Sequence, residues 1–337
     1  MSGRCLIVLL VSVTLVYGAA VTGAAQTQTD RSDSKVLLTP WGHPNLQGTW
    51  TNTTTTPLQR PIELGEKALL SDEERAALDE ERSQTEQRAC ATELVVLQRE
   101  PPPTSTGSYN SFWLEQGTRT HQTSLIVDPP NGRLPMVTLR AQQRADRLVS
   151  IRESPSYPQT WHEPSVFERC ITRGLPATMM PGFYNHNYQI LQTPNYVVIN
   201  AEMIHDTRII PLDGRPHLPA HLRQWMGDSR GHWEGDTLVV ETTNFTDKVY
   251  ERRVSNTVFG AGKAMNLVER FTRVDADTLD YRFTLTDPTT FAKPWTAVIP
   301  MNAMSSQIHE YACHEGNYSM ENMLRGARTK ESQLSRP

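Results

Sequence analysis

Residues 279–285 read Leu-Asp-Tyr-Arg-Phe-Thr-Leu, and nothing else in the chain limits its fold as tightly. Leu279, Tyr281, Phe283 and Leu285 fall on one side of a period-two repeat, with Asp280, Arg282 and Thr284 on the other. A period of two with one apolar side is the pattern of a half-buried antiparallel strand. The preceding stretch NLVERFTRV joins it through Asp275-Ala276-Asp277, which predicts a hairpin. A second hairpin is predicted in GHWEGDTLVVETT, around Glu234-Gly235. YQILQ leads through Thr193-Pro194-Asn195 to YVVINAEMIH, and TRIIPL stops at Asp213-Gly214, a strong turn signal. SLIV, WTAVIPM and HEYACH add further strand candidates. The step Asp-Thr-Leu occurs at 236–238 and again at 277–279, too few copies for a propeller. The expected fold is mainly β: an antiparallel meander forming a closed or partly open barrel. Closure removes exposed edges and leaves an interior or a mouth for a ligand.

The rest of the chain divides by composition. Arg4, an apolar run over 5–17 and the small residues that follow make 1–25 a signal peptide, with Ala25 before the cut. Export to the periplasm or beyond is therefore expected. No later stretch is apolar enough to span a membrane, so none is expected after cleavage. Residues 26–65 read as a polar, extended segment. Ser71 and Glu74 form a capping box that opens a charged helix, and 66–104 are that helix with a Pro-rich linker. Residues 105–330 are left as a single β-rich domain. The formal charge of −4 becomes −5 once Arg4 leaves with the leader, which argues against a nucleic-acid partner. Three cysteines survive cleavage: Cys90, Cys170 and Cys313. Cys170 and Cys313 lie in strand or ordered-loop segments and Cys90 in a polar helix, so a Cys170–Cys313 disulfide is expected.

Candidate chemistry concentrates in three places. On YVVINAEMIH, strand alternation puts Val197, Ile199, Ala201, Met203 and His205 on one face, leaving His205 at the rim of the core. Tyr196, Asn200, Glu202 and Asp206 point the other way. Partial burial there would bring an imidazole into range for acid–base work. In FYNHNYQ, Tyr184, His186 and Tyr188 are candidate substrate contacts, with Trp233 as a fourth. HEYACHEGNY, residues 309–318, begins like the zinc-protease motif, but Cys313 stands where the second histidine is needed. Whether strand or helix, that stretch puts Glu310 and His314 on the same side. The expected catalytic set is His205 and His314, oriented by Glu310 or Asp206. No nucleotide, flavin or haem motif appears, so no cofactor is predicted, while a divalent metal held by the two histidines stays open.

Several motifs resemble known families. ERCITRGLP, YNHNYQILQTPNYVVINAEMIHDTRIIPLDGRPHLP, GDSRGHWEGDTLVVETTNFTDK, LVERFTRVDADTL, DPTTFAKPWTAVIPM and EYACHEGNY resemble a family of uncharacterised exported bacterial proteins. The likeness runs over about residues 105–327. It implies export and a bacterial source, and brings no activity. Gly48-Thr49-Trp50 resembles the G-x-W that opens lipocalin barrels. Three readings follow from these residues. One is an exported enzyme, a hydrolase, lyase or isomerase acting on a small organic or glycosidic molecule. Another is a lipocalin-like protein that binds a small-molecule ligand without catalysis. A third is an envelope protein with no small-molecule site.

Overall fold

Ten strands, β1 (Gly48–Thr51), β2 (Ile126–Asp128), β3 (Asn187–Gln192), β4 (Tyr196–Ala201), β5 (Thr207–Pro211), β6 (Asp228–Glu234), β7 (Thr237–Thr243), β8 (Asn266–Arg273), β9 (Thr278–Thr286) and β10 (Trp295–Ala303), carry the fold. They come from a computed structural model that describes residues 37–96, 115, 117–182, 184–249 and 262–335, with backbone alone for 86–96. The expected leader and Cys90's side chain lie outside what is described. Among the described residues three α-helices accompany the sheet: α1 (Asp72–Val96), α2 (Leu139–Glu153) and α3 (Ser319–Leu334). The capping box forms as expected at α1. Glu74 N–H donates to Ser71 Oγ at 3.2 Å, and Ser71 N–H donates to the Glu74 carboxylate at 2.8 Å.

Nine strands form one antiparallel sheet in the order β5-β4-β3-β1-β10-β9-β8-β7-β6, and β2 pairs with β10 off this path. The sheet curls into a nearly closed barrel, bringing β5 beside β6. Nine alternating strands is an odd number, so these two end strands run in the same direction. No hydrogen-bonded ladder joins them among the described residues. Side chains close the seam instead. Arg208 of β5 donates to Ser229 Oγ of β6 at 3.2 Å. Gly231 lets the walls approach: a Cβ there would stand 2.9 Å from Ile210 and 2.7 Å from Leu212. Any larger residue would push β5 and β6 apart.

The predicted hairpins are present. Leu279, Tyr281, Phe283 and Leu285 all face the interior and are fully buried, as their alternation requires. With Trp50, Tyr188, Phe271 and Trp295 they fill the barrel. The Phe271 and Tyr281 rings lie 4.8 Å apart, and Phe283 meets Trp295 edge-on at 5.2 Å. Within this apolar packing sits one ion pair, Arg208–Glu269, to which Tyr281 donates its hydroxyl at 3.0 Å.

Three expectations need correcting. The segment 26–65 is not outside the β domain, because β1 lies between β3 and β10 and buries Trp50. Four residues are too few to show a period, so the Gly48-Thr49-Trp50 resemblance was the one local mark of β1 as a barrel strand. The strand ending in His205 stops at Ala201. HEYACH is neither strand nor helix; it is an irregular stretch between β10 and α3.

Candidate functional site

β4 and β5 meet at one end of the barrel through Glu202–Asp206, where two consecutive residues have left-handed backbone. Ala201 N–H donates to Asp206 O at 2.9 Å, closing a tight connection. Between them, Met203–His205 make a single tight turn in which Ile204 has φ 61°, ψ 15° and His205 has φ 46°. Left-handed backbone is poorly tolerated by a β-branched residue and costs on the order of 1–3 kcal/mol. The surroundings hold it. Met203 and Ile204 are buried, Glu202 N–H donates to Asn187 O at 2.9 Å, and His205 N–H donates to Glu202 O at 3.1 Å. This turn replaces the extended strand expected from the sequence. It also moves His205 from the rim of the core to an exposed position.

Glu202 was expected to point outward, yet it is buried. Its carboxylate accepts from Asn187 Nδ2 at 2.6 Å, Asn185 Nδ2 at 3.1 Å and the His309 N–H at 2.9 Å. Three donors satisfy a charge that would otherwise be costly to bury. Glu115 adds a second carboxylate, accepting from the Asn185 N–H at 2.7 Å and Asn187 Nδ2 at 3.2 Å. The run Tyr184–Tyr188 is therefore a knot of side chains tying β3 to the end of β4. His186 lies inside it, buried, and its Nε2 accepts from Arg173 Nη1 at 3.1 Å. A Cβ on Gly182 would stand 1.9 Å from that nitrogen, so only glycine fits beside the ring.

The HEYACH stretch crosses this end of the barrel. Cys313 is joined to Cys170 by the expected disulfide, with Cα atoms 5.8 Å apart. Asn317 Nδ2 donates to Cys313 O at 2.9 Å, and Glu202 holds the His309 N–H. These ties take up groups that a regular strand or helix would need, which accounts for the irregular path. The period that would have aligned Glu310 with His314 is consequently absent. Both side chains are exposed, and among the described residues neither makes a hydrogen bond or ion pair.

The HEYACH stretch meets His205 through the Tyr311 carbonyl, 3.3 Å from His205 Nδ1. A carbonyl only accepts, so Nδ1 carries the hydrogen and Nε2 keeps its lone pair. Next in the chain, Asp206 accepts from Thr172 Oγ1 at 2.8 Å. Burial raises the Asp206 pKa above the ordinary carboxylate value, outweighing the lowering by Thr172 and by nearby His205 and Arg208. The exposed imidazole and the carboxyl with the raised pKa thus belong to consecutive residues.

The other expected contacts divide. Tyr184 is half-buried at the start of the knot. Tyr188 is a core residue: its hydroxyl donates to Thr178 O at 2.9 Å and accepts from Asn52 Nδ2 at 3.0 Å, and burial pushes its pKa up. Strand alternation along β3 turns it inward. Trp233 stands at the opposite end of the barrel, by the β6–β7 hairpin, stacked on His43 at 5.0 Å. Sequence reasoning missed Glu115, Thr172 and Arg173; the last two lie in ERCITRGLP, a motif that carried a resemblance and no role, and Glu115 lies in none of the motifs singled out. Among the described residues, no three His, Cys, Asp or Glu side chains gather as metal ligands, and Cys313 is committed to its disulfide. Compared with protein-family models, curated proteins and solved structures, the chain matches none.

Proposed function

We propose that this chain is an exported enzyme, periplasmic or secreted, that uses His205 as its general base on a small organic or glycosidic molecule. The reaction is of the hydrolase, lyase or isomerase type. The observation that carries the reading is the His205 ring, exposed, with Nδ1–H spent on Tyr311 O and Nε2 left basic. A fixed tautomer with one open nitrogen is what proton abstraction needs. The strained turn beneath it adds support, because backbone held in a costly conformation is concentrated at functional sites. Asp206 supplies a second proton-exchanging group whose raised pKa suits the acid role. His314 and Glu310 take no part in this proposal, since no hydrogen bond joins them to His205. The aromatic filling of the barrel interior weighs against a lipocalin-like ligand held deep inside, and favours chemistry at the barrel end.

The test uses residues 26–337 against panels of chromogenic esters, lactones and glycosides, comparing wild type with His205→Asn. Asparagine tolerates the left-handed backbone and can still donate to Tyr311 O, but has no basic nitrogen. The expected loss in kcat is roughly 10²–10⁴-fold at an unchanged melting temperature. Full activity in the variant would overturn the assignment. So would nitrogen NMR shifts placing the His205 proton on Nε2.

A further inference from the structure

The outer face of the barrel is divided by charge. On β6–β9 every strand turns a charged side chain outward, among them Arg230, Glu241, Arg270 and Arg282. The strands β3, β4 and β5 turn none outward. Strand register sets their outward side chains in rows. Leu191 of β3 stands beside Val198 of β4, and Val198 beside Ile209 of β5. In the next row Gln189, Asn200 and Thr207 are neighbours in the same order, and Thr207 Oγ1 donates to Asn200 Oδ1 at 2.7 Å. Leu191 is 46% exposed and Ile209 65%, with Val198 half-buried between them. An outer strand face left to water is ordinarily polar, so an apolar row running across three strands calls for a partner.

We propose that a second copy of this chain covers the face, packed sheet to sheet about a two-fold axis through β4. A two-fold contact sets the residues near its axis against themselves. β4 offers Tyr196, Val198 and Asn200 there, none of them charged, so no like charges meet. The same operation on β6–β9 would press Arg270 or Arg282 against its own copy. An anionic lipid surface would call for Lys or Arg around the apolar row, and these three strands turn neither outward. Charge returns at the rim, where Arg215 lies over the Tyr196 ring at 6.0 Å and is already paired with Asp213. An apolar centre free of charge inside a polar rim is the make-up of a protein interface. Twisted sheets pack face to face about 10 Å apart, with their strands crossing at about 30°. The strands are six, six and five residues long, which makes a face about 15 Å by 18 Å. With its rim, such a contact buries on the order of 1,000 Å² over both copies, the low end of specific interfaces, so the dimer is weak and reversible.

Sedimentation velocity of residues 26–337 over roughly 1–200 μM tests the dimer. The expected result is a reversible monomer–dimer equilibrium with a Kd on the order of 10 μM. Val198→Lys sets two like charges against each other at the axis, and Ile209→Lys buries a charge without a partner. Each should weaken the dimer at least about tenfold, while Arg282→Glu on the charged half should leave it unchanged. Val198 and Ile209 point out of the barrel, so circular dichroism and melting of the dilute variants should match the parent, which separates loss of the dimer from loss of the fold. A parent protein that stays monomeric throughout the range would overturn the proposal. So would a dimer that both lysine variants form as tightly as the parent does. Binding of the monomer to phosphatidylglycerol vesicles, abolished by the same two variants, would assign the face to a lipid surface and overturn it too.

Discussion

Arg208 and Glu269 make the sharpest test of how this barrel is held shut. Their side chains are 4% and 0% exposed, and they meet through two parallel hydrogen bonds, Nη1 to Oε1 at 2.9 Å and Nη2 to Oε2. Burial works against the guanidinium charge, but Glu269 outweighs it and holds the Arg208 pKa above its ordinary value. Arg208 also reaches Ser229 at 3.2 Å and Thr242 at 3.4 Å, bridging a seam that has no backbone ladder. Removing either partner alone leaves a buried charge unmatched, a loss of about 3–5 kcal/mol. Glu269→Gln and Arg208→Met should each lower the unfolding free energy by that amount. Gln keeps an acceptor for the Tyr281 hydroxyl, so the double variant strands no charge and should lose no more than about 2 kcal/mol. The double variant is therefore expected to be more stable than either single one. Urea unfolding followed by tryptophan fluorescence and circular dichroism measures all four corners of the cycle. Single losses under about 1 kcal/mol, or losses that simply add, would show that the pair is not buried against the seam in this way.

Two further outcomes follow from the His205 end of the barrel. The Cys170–Cys313 bond closes a loop of 143 residues, for which chain entropy gives roughly 5 kcal/mol of stabilisation. The Cys170→Ser/Cys313→Ser protein should unfold at clearly lower denaturant concentration, and an unchanged midpoint would refute the estimate. Because the folded-state pKa of Asp206 is raised above 3.8, the folded protein binds more protons than the unfolded chain just above that pH, and stability falls as pH rises through the window. Asp206→Asn should remove that fall, so its stability relative to wild type grows with pH from 3.8 upward; parallel profiles for the two proteins would contradict the raised pKa.

What the sequence determined by itself was local. Period-two alternation set the inward face of β9, the Asp-Ala-Asp and Glu-Gly turns joined the hairpins, and Ser71 with Glu74 opened α1. The disulfide partners were also open to inference, because only three cysteines follow residue 25 and one lies in a charged helix. The tertiary structure decided the rest. β1 is four residues long and gains its place only by pairing with β3 and β10, more than a hundred residues away in the chain. Glu269 alternates inward like its apolar neighbours, yet its burial depends on an arginine from a strand on the far side of the seam. His205 was visible as a candidate, but not its tautomer or its left-handed turn, since the group that fixes the ring lies 106 residues downstream. Hydrophobic period reports which face of an element is buried, a property each strand carries in its own residues. Which side chains converge depends on strand order and on loops crossing the barrel end, and those are settled by packing between segments distant in sequence.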